Sequence, residues 1–251
     1  MNSPIDSIDD IGAASAARLQ QVRLRIEQAA RAAGRDPAEV RLLAVSKTFD
    51  ADAVAAMAGC GQAEFGENYV QEGVAKIEAL SPRWPALCWH FIGPLQSNKT
   101  RDVAAHFDWV HSIDRLSVAQ RLAAQRPQQR DGRALAPLQV CLQVNISDEP
   151  SKSGVAPGQL GELARAVAGL PGLRLRGLMC IPAPADTLAA QREPFARLRE
   201  LQQGLIAEGL PLDTLSMGMS ADLEAAVLEG ATVVRVGSAL FGARAPRRHE
   251  T

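Results

Sequence analysis

Short apolar runs alternate with amphipathic stretches along most of the chain. Eight of these runs are bounded by polar residues or glycine, which is the pattern of buried strands. The predicted strands cover residues 41–46, 63–65, 88–92, 109–111, 138–144, 173–179, 214–215 and 232–236. Strands that are separated by amphipathic helices are typical of a parallel sheet covered by helices.

Helical spacing of apolar residues is clearest near the start of the chain. Leu19, Val22 and Ile26 share one face of a predicted helix over residues 13–33, and Gly34 is expected to end it. The further predicted helices cover residues 50–57, 70–80, 116–125, 159–168, 189–207 and 222–228. An α-helix therefore precedes the first predicted strand.

The number of strands and the chain length together favour one architecture. Eight strands in 251 residues fit a (β/α)₈ barrel, which typically takes about 250 residues. We predict a single α/β TIM barrel domain over residues 1–251, with an extra N-terminal helix. An open, doubly wound sheet is the alternative on pattern alone.

Composition and charge exclude several classes of partner. The chain has 28 acidic and 27 basic residues, so it offers no general attraction for nucleic acid or an anionic membrane. The 4 cysteines form no CxxC pair and the 4 histidines show no metal-ligand spacing. We find no signal-peptide pattern and no apolar run of about 18 residues, so we expect a cytoplasmic protein without a metal.

Polar residues gather where the predicted strands end. Ligands of parallel barrels bind at the carboxyl ends of the strands, and a random scatter would place polar residues at both ends. The residues that follow or close the eight strands include Lys47, Asn68, His90, His111, Asn145, Met179, Ser216 and Arg235. This asymmetry predicts a binding site at the carboxyl face.

Lys47 is the sharpest candidate among these residues. It follows the first strand, where an unpaired ammonium would be costly to bury. The residue alone leaves two interpretations: a lysine whose head reaches solvent, or a lysine whose amine forms a Schiff base with a carbonyl.

The last two predicted loops carry small residues and hydroxyls. Ser216 and Ser220 flank the seventh-strand loop, and Gly237 and Ser238 follow the eighth strand. Phosphates in such barrels bind at these two loops, through backbone amides and hydroxyl donors. Together with Lys47, the loops indicate a phosphorylated aldehyde.

Arg235 lies inside the eighth predicted strand and has two interpretations. It could pair with a helix carboxylate such as Glu224 or Glu229. It could instead face the pyridine nitrogen of a cofactor. Since arginine can only donate, it would keep that nitrogen unprotonated and make the ring a poor electron sink, which argues against carbanion chemistry.

Several motifs in the same order resemble the pyridoxal phosphate homeostasis protein family, whose fold is related to the N-terminal barrel of alanine racemase. The motifs span nearly the whole chain: LLAVSKT (42–48), FGENYVQE (65–72), WHFIGPLQSNK (89–99), HSIDR (111–115), NISDEPSKSG (145–154), RGLMCIPAP (176–184), LSMGMSADLEAAV (215–227) and VRVGSALFGAR (234–244).

The resemblance implies a role for nine residues toward pyridoxal 5'-phosphate (PLP). Lys47 would carry the cofactor, Arg235 would lie near the pyridine nitrogen, and the phosphate would rest on Ser220, Gly237 and Ser238. The neighbours of the ring would be Asn68, His90, Met179 and Ser216. Ser238 stands where the family more often has threonine, which keeps the hydroxyl.

The resemblance also implies a function, and alternatives stay open beside it. The first is a non-catalytic carrier that holds PLP and hands it to apo-enzymes, as a monomer or weak dimer. The second is a PLP-dependent amino-acid racemase, although the only tyrosine is Tyr69 and we expect no second domain to supply another proton-transfer group. A class I aldolase is the third. The loops with Lys99 and Lys152 are either solvated or a second cofactor or partner surface.

Overall fold

Eight parallel strands close into one barrel. The structure is a computed structural model that describes residues 8–130, 133–147 and 153–242. The strands follow the chain around the barrel, and the eighth pairs with the first. They are β1 Arg41–Val45, β2 Glu64–Glu67, β3 Cys88–Phe91, β4 Trp109–Ile113, β5 Leu138–Gln143, β6 Leu173–Met179, β7 Thr214–Ser216 and β8 Val233–Val236. The predicted TIM barrel is confirmed, and the open-sheet alternative is wrong.

Helices cover the outside of this barrel. They are α1 Ile8–Ala32, α2 Ala51–Gly59, α3 Val70–Leu80, α4 Thr100–His106, α5 Leu116–Gln125, α6 Leu160–Ala168, α7 Leu188–Ala207, α8 Leu223–Leu228 and α9 Ser238–Phe241. Single 3₁₀ turns lie at Pro37–Glu39, Ser97–Lys99 and Pro157–Gln159. In the part of the chain that the structure describes, no helix is long and apolar enough to cross a membrane.

The predicted strands and helices agree with the structure, but several short elements of the structure were not predicted. Every predicted strand overlaps an observed one, and β6 has the predicted bounds. Prediction missed α4, α9 and a two-residue hairpin between Gln129–Arg130 and Arg133–Ala134. These elements are too short to show a hydrophobic period.

The N-terminal helix packs on the outside of the barrel. Leu19, Val22 and Ile26 are buried, and α1 lies against α2, α8 and α9. It ends as predicted, because Gly34 adopts a left-handed φ of 67°. The next amide, that of Arg35, then reaches back to the carbonyl of Ala30 at 2.9 Å. This helix therefore joins the start of the chain to its last two helices.

Polar side chains also fill the amino end of the barrel. The guanidiniums of Arg41 and Arg176 lie 4.8 and 5.0 Å from the centre of the Trp109 ring. Arg176 pairs with Asp213 at 2.6 Å. Burial opposes ionisation of Asp213, but hydrogen bonds from Arg176 and Thr214 outweigh it and lower its pKa. The expectation that polar residues mark the carboxyl face alone is therefore wrong.

A glycine allows β6 to approach β7 closely. A side chain at Gly177 would place its Cβ 1.8 Å from the carbonyl oxygen of Thr214 and 3.0 Å from Nε2 of Gln202. The pairing of β5 with β6 also shifts by one residue here. Only glycine fits this position, because the nearest obstacle is backbone.

We expect Gly177→Ala to lower the free energy of unfolding by about 1–3 kcal/mol or more, because the added methyl overpacks the barrel wall. Gly204→Ala is the control, since nothing lies within 4 Å of the added Cβ in helix α7. That variant should be neutral or stabilising. Urea denaturation measures both, and equal stability of the two variants would contradict the argument.

Candidate functional site

Lys47 lies in a tight turn directly after β1. The amide of Ser46 donates to the carbonyl of Gly66 in β2 at 3.0 Å, and the amide of Phe49 donates to the carbonyl of Ser46 at 3.1 Å. Lys47 is half-buried. Thr48 has a φ of 70°, a left-handed conformation that costs about 1–3 kcal/mol in a residue other than glycine.

A buried ion cluster lies beside this turn. The ammonium of Lys76 donates to the carbonyl of Ser46 at 2.8 Å, to Oε1 of Glu67 at 2.8 Å and to Oε1 of Glu72 at 2.6 Å. The Ser46 hydroxyl also donates to Glu67 at 2.5 Å. Burial raises the pKa of Glu67, and the bonds from Lys76 and Ser46 oppose that shift. Neighbouring elements β2 and α3 thus hold the turn.

Arg235 lies in the barrel interior and is 4% exposed. Its guanidinium donates to the carbonyl of Ser216 at 2.6 Å, to the Ser216 hydroxyl at 2.8 Å and to the carbonyl of Cys180 at 2.8 Å. Burial lowers its pKa. All three acceptors are uncharged and lie at the carboxyl ends of β6 and β7.

The ion-pair interpretation of Arg235 is wrong. The carboxylate of Glu224 pairs with Arg25 at 2.7 Å. Glu229 pairs with Arg192 at 2.6 Å and also with Arg199. Both carboxylates therefore face the helix layer, and the arginine of β8 points inward.

A chain of hydrogen bonds crosses the barrel from Arg235. Nδ1 of His111 lies 2.7 Å from the Ser216 hydroxyl, and Nε2 of His111 lies 2.9 Å from Nδ1 of His90. The Ser216 hydroxyl accepts from Arg235, because arginine only donates. Two arrangements of the imidazole protons satisfy the bonds beyond it, one with both protons on Nε2 and one with both on Nδ1. Nε2 of His90, at the end of the chain of bonds, lies 3.3 Å from Sγ of Cys88 and 3.4 Å from Oε2 of Glu64.

The two histidines of this hydrogen-bond chain, His90 and His111, are fully buried. Burial lowers the pKa of His90 well below its ordinary value, helped by His111 and Arg41. Burial likewise lowers the pKa of His111, helped by Arg235 and Arg41. Both arrangements of the protons use neutral imidazoles, in which one ring nitrogen donates and the other accepts.

The two final loops meet at the carboxyl face. The hydroxyls of Ser220 and Ser238 lie 3.4 Å apart. A Cβ at Gly237 would lie 3.2 Å from the carbonyl oxygen of Val45 in β1. Glycine therefore lets the last loop lie close to the strand that leads to Lys47.

Of the remaining predicted residues, Met179 and Asn68 lie at the same end of the barrel, whereas His90 faces Glu64 toward the amino end. Met179 ends β6 and is paired in register with Ser216. It is fully buried and packs against Trp109 and Cys141 inside the barrel. Asn68 follows β2, and its Oδ1 atom is buried with no hydrogen-bond partner among the described residues. His90 lies deepest, inside β3, and reaches Arg235 only through His111 and Ser216.

The family of the chain follows from comparison with known sequences. The family described as "Alanine racemase, N-terminal domain" matches residues 17–245. This chain belongs to that family. The match spans the barrel strands, the Lys47 turn and both final loops.

Within this family, close relatives carry one name. A protein of Pseudomonas aeruginosa named "Pyridoxal phosphate homeostasis protein" is 60% identical over 91% of this chain and 95% of its own length. A protein of Escherichia coli strain K12 with the same name is 55% identical over 90% of this chain and 95% of its own length.

Solved structures agree with the fold. PipY of Synechococcus elongatus, with PLP bound, has a TM-score of 0.76 and 38% identity, and the match covers 91% of this chain and all (100%) of PipY. Alanine racemase of Corynebacterium glutamicum has a TM-score of 0.64 at 17% identity over 95% of this chain and 64% of its own. The latter likeness concerns the fold alone.

Sequence reasoning missed the partners of the Lys47 turn. The sequence analysis identifies none of Ser46, Glu67, Glu72 and Lys76 as partners of the turn. A signal was present, because Glu67 and Glu72 both lie in the FGENYVQE motif and Lys76 follows four residues later in the next predicted helix. Lys152 lies outside the described residues. Tyr69 and Lys99 line a surface cavity of about 370 Å³ beside the mouth of the barrel.

Two further observations bear on ligands. Among the described residues, no group of three or more His, Cys, Asp or Glu side chains could hold a metal ion. A larger cavity, of about 650 Å³, is lined by residues such as Arg23, Arg41 and Glu64. It lies at the amino end of the barrel, away from Lys47, and among its lining residues Arg41 pairs with Glu64 and Arg31 pairs with Glu27.

We expect the free energy of unfolding to fall as pH drops below about 6.5, the ordinary pKa of histidine. Below that pH, His90 and His111 bind protons in the unfolded chain but stay neutral in the folded chain. The stability that is present above that pH is therefore lost, by up to about 1.4 kcal/mol per pH unit for each histidine. In His111→Asn this slope should be smaller.

Urea denaturation between pH 7.5 and 5.5, a range of about two units around that pKa, measures the slope. The control is His106→Asn, at the end of α4, where the histidine is partly exposed. That variant should keep the slope of the original chain. An unchanged slope in His111→Asn would show that the buried histidines do not stay neutral.

Proposed function

We propose that this chain binds PLP covalently through Nζ of Lys47 and serves in intracellular PLP homeostasis as a carrier or reservoir. The observation that carries the proposal is that Lys47 directly follows β1 while Arg235 lies in β8, the strand that neighbours β1. Leu43 of β1 is paired in register with Arg235 of β8. Relatives that are 55–60% identical are named for PLP homeostasis, and PipY binds PLP.

The side chains at this end of the barrel suit each part of the cofactor. The amine of Lys47 would hold the aldehyde, and the hydroxyls of Ser220 and Ser238, 3.4 Å apart, would donate to the phosphate. Gly237 lets the last loop lie close to β1, and its backbone amide would donate to the phosphate. The orphaned Oδ1 of Asn68 would gain a partner from a polar group of the ring.

Arg235 would set the electronic state of the ring. When bound, PLP supplies an aldehyde that can be held by an amine and a pyridine that withdraws electrons. The guanidinium is oriented by Ser216 and Cys180 and can only donate. It would therefore keep the pyridine nitrogen unprotonated, which weakens electron withdrawal and favours storage over turnover.

The arrangement of acid–base groups also supports a role without catalytic turnover. Racemisation needs a second proton-transfer group opposite the lysine. Tyr69, the only tyrosine of the chain, is 50% exposed and lines the surface cavity with Lys99. We therefore place the domain, over the whole chain, among PLP carriers in the cell, with apo-enzymes as recipients.

The covalent link is tested by incubation with PLP, borohydride reduction and peptide mapping. We expect a pyridoxyl group on the peptide that contains Lys47, and none on that peptide in Lys47→Ala. Lys99→Ala is the matched control and should be labelled like the original chain. A colourless protein after incubation, or equal PLP binding by Lys47→Ala, would refute the proposal.

The carrier role is tested separately from the link. We expect the PLP-loaded chain to reactivate an apo-form of a PLP-dependent enzyme, and to interconvert L- and D-alanine no faster than PLP alone. Circular dichroism of alanine follows the second reaction. Racemisation that is lost in Lys47→Ala would establish an enzyme in place of a carrier.

A further inference from the structure

We propose that Glu72 is a positioning residue for Lys47, which acts by holding the peptide group between Lys47 and Thr48 in one orientation. The buried ammonium of Lys76 keeps the Glu72 carboxylate in place. The inference rests on the proposed function, because it concerns the amine that would hold the aldehyde.

The turn that carries Lys47 belongs to one of two β-turn types that differ in the orientation of their central peptide group. The amide of Phe49 donates to the carbonyl of Ser46 at 3.1 Å, which makes Lys47 and Thr48 the two central residues of a β-turn. The φ of 70° at Thr48 is that of a type II turn, which prefers glycine at this position. In a type I turn the peptide group between the two central residues is flipped, and φ at Thr48 would be negative.

Glu72 contacts the one peptide group that distinguishes these forms. Its Oε1 atom accepts a hydrogen bond from the amide of Thr48 at 2.5 Å. A flip of the Lys47–Thr48 peptide group would turn this N–H away from the carboxylate. Thr48 thus remains in a conformation that usually needs glycine, because the hydrogen bond to the charged carboxylate stabilises only the type II turn.

Lys76 holds the Glu72 carboxylate in the position where it accepts from the Thr48 amide. Only 5% of Lys76 is exposed, and its ammonium has three protons to donate. The acceptors are Glu72, Glu67 and the carbonyl of Ser46. The same ammonium therefore binds the first residue of the turn and the acceptor of the third.

The location of the strain favours a functional role over a structural one. Glycine at position 48 would form the same turn without strain or a buried cluster. Strained residues persist where the surroundings over-determine them, and they concentrate at functional sites. Here the constraint falls on the residue next to the candidate amine. We infer that the cluster selects the turn that directs Lys47 toward Arg235 and the final loops.

The test uses the whole chain with Glu72→Ala and Thr48→Gly, singly and together. The rate of PLP attachment to Lys47 should fall between about tenfold and about 100-fold in Glu72→Ala, because misplacement of a reacting group by about 1 Å can cost about 100-fold. Thr48→Gly in the Glu72→Ala chain should recover most of the loss, since glycine accepts the type II turn unaided. Glu78→Ala, exposed on the same helix, should react like the original chain.

Several results would overturn the inference. Attachment in Glu72→Ala at the rate of Glu78→Ala would do so, and so would a double variant no faster than Glu72→Ala, which would mean that Glu72 acts by charge alone. If Glu72→Ala does not fold, as judged by its melting temperature, Glu72→Gln takes its place. That variant keeps an acceptor oxygen and should lose less of the rate.

A second readout separates this inference from the proposed function. Without PLP, a water-soluble succinimidyl ester acylates lysine amines, and mass spectrometry of the peptides gives the rate at Lys47 against pH, with Lys99 as internal reference. We expect the Lys47 profile to change in Glu72→Ala, to be restored by Thr48→Gly and to be unchanged in Glu78→Ala. If the original chain attached no PLP at Lys47, the proposed function would fail while this comparison still decided the role of Glu72.

Discussion

A guanidinium that is buried without a carboxylate orders the interior of this barrel. Removing a charge from water costs several kcal/mol unless good hydrogen bonds replace the solvent. Among the described residues, Arg235 obtains them from uncharged oxygens of Ser216 and Cys180. The Ser216 hydroxyl that accepts from it also bonds His111, which bonds His90, so a polar chain with two neutral histidines crosses the barrel core.

The two sides of the candidate site are stabilised in different ways. On the β8 side, a charge is held by dipoles in a rigid interior. On the β1 side, opposite charges on α3 and β2 hold a strained backbone turn at the surface of the barrel. The first arrangement suits a group that must keep one electronic state. The second suits a group that must point in one direction and still be reached by a small molecule.

Prediction from sequence succeeded for the strands, because the pattern that marks a strand lies within the strand itself. The strands were recognisable because apolar runs end at polar residues, and Arg235 and Lys47 stood out against such runs. The hydrogen bond from the amide of Thr48 to the carboxylate of Glu72 joins residues 24 positions apart. Whether it forms depends on how α3 packs beside β1. Arg41 and Glu64 were passed over because residues that begin a strand look like ordinary flanks. Hydrophobic periodicity carries no information about such polar pairs.

The first helix reaches the last loops. Arg25 of α1 donates to the carbonyl of Ser220 at 3.0 Å and pairs with Glu224 of α8. These partners are separated by 195 and 199 positions, so they meet only after nearly all of the chain has left the ribosome. The Lys47 turn, in contrast, is held by residues only 24 and 30 positions away in the sequence. The loop that contains Ser220 therefore gains its support from α1 only when nearly the whole chain is available, whereas the turn needs only the short segment from β1 to α3.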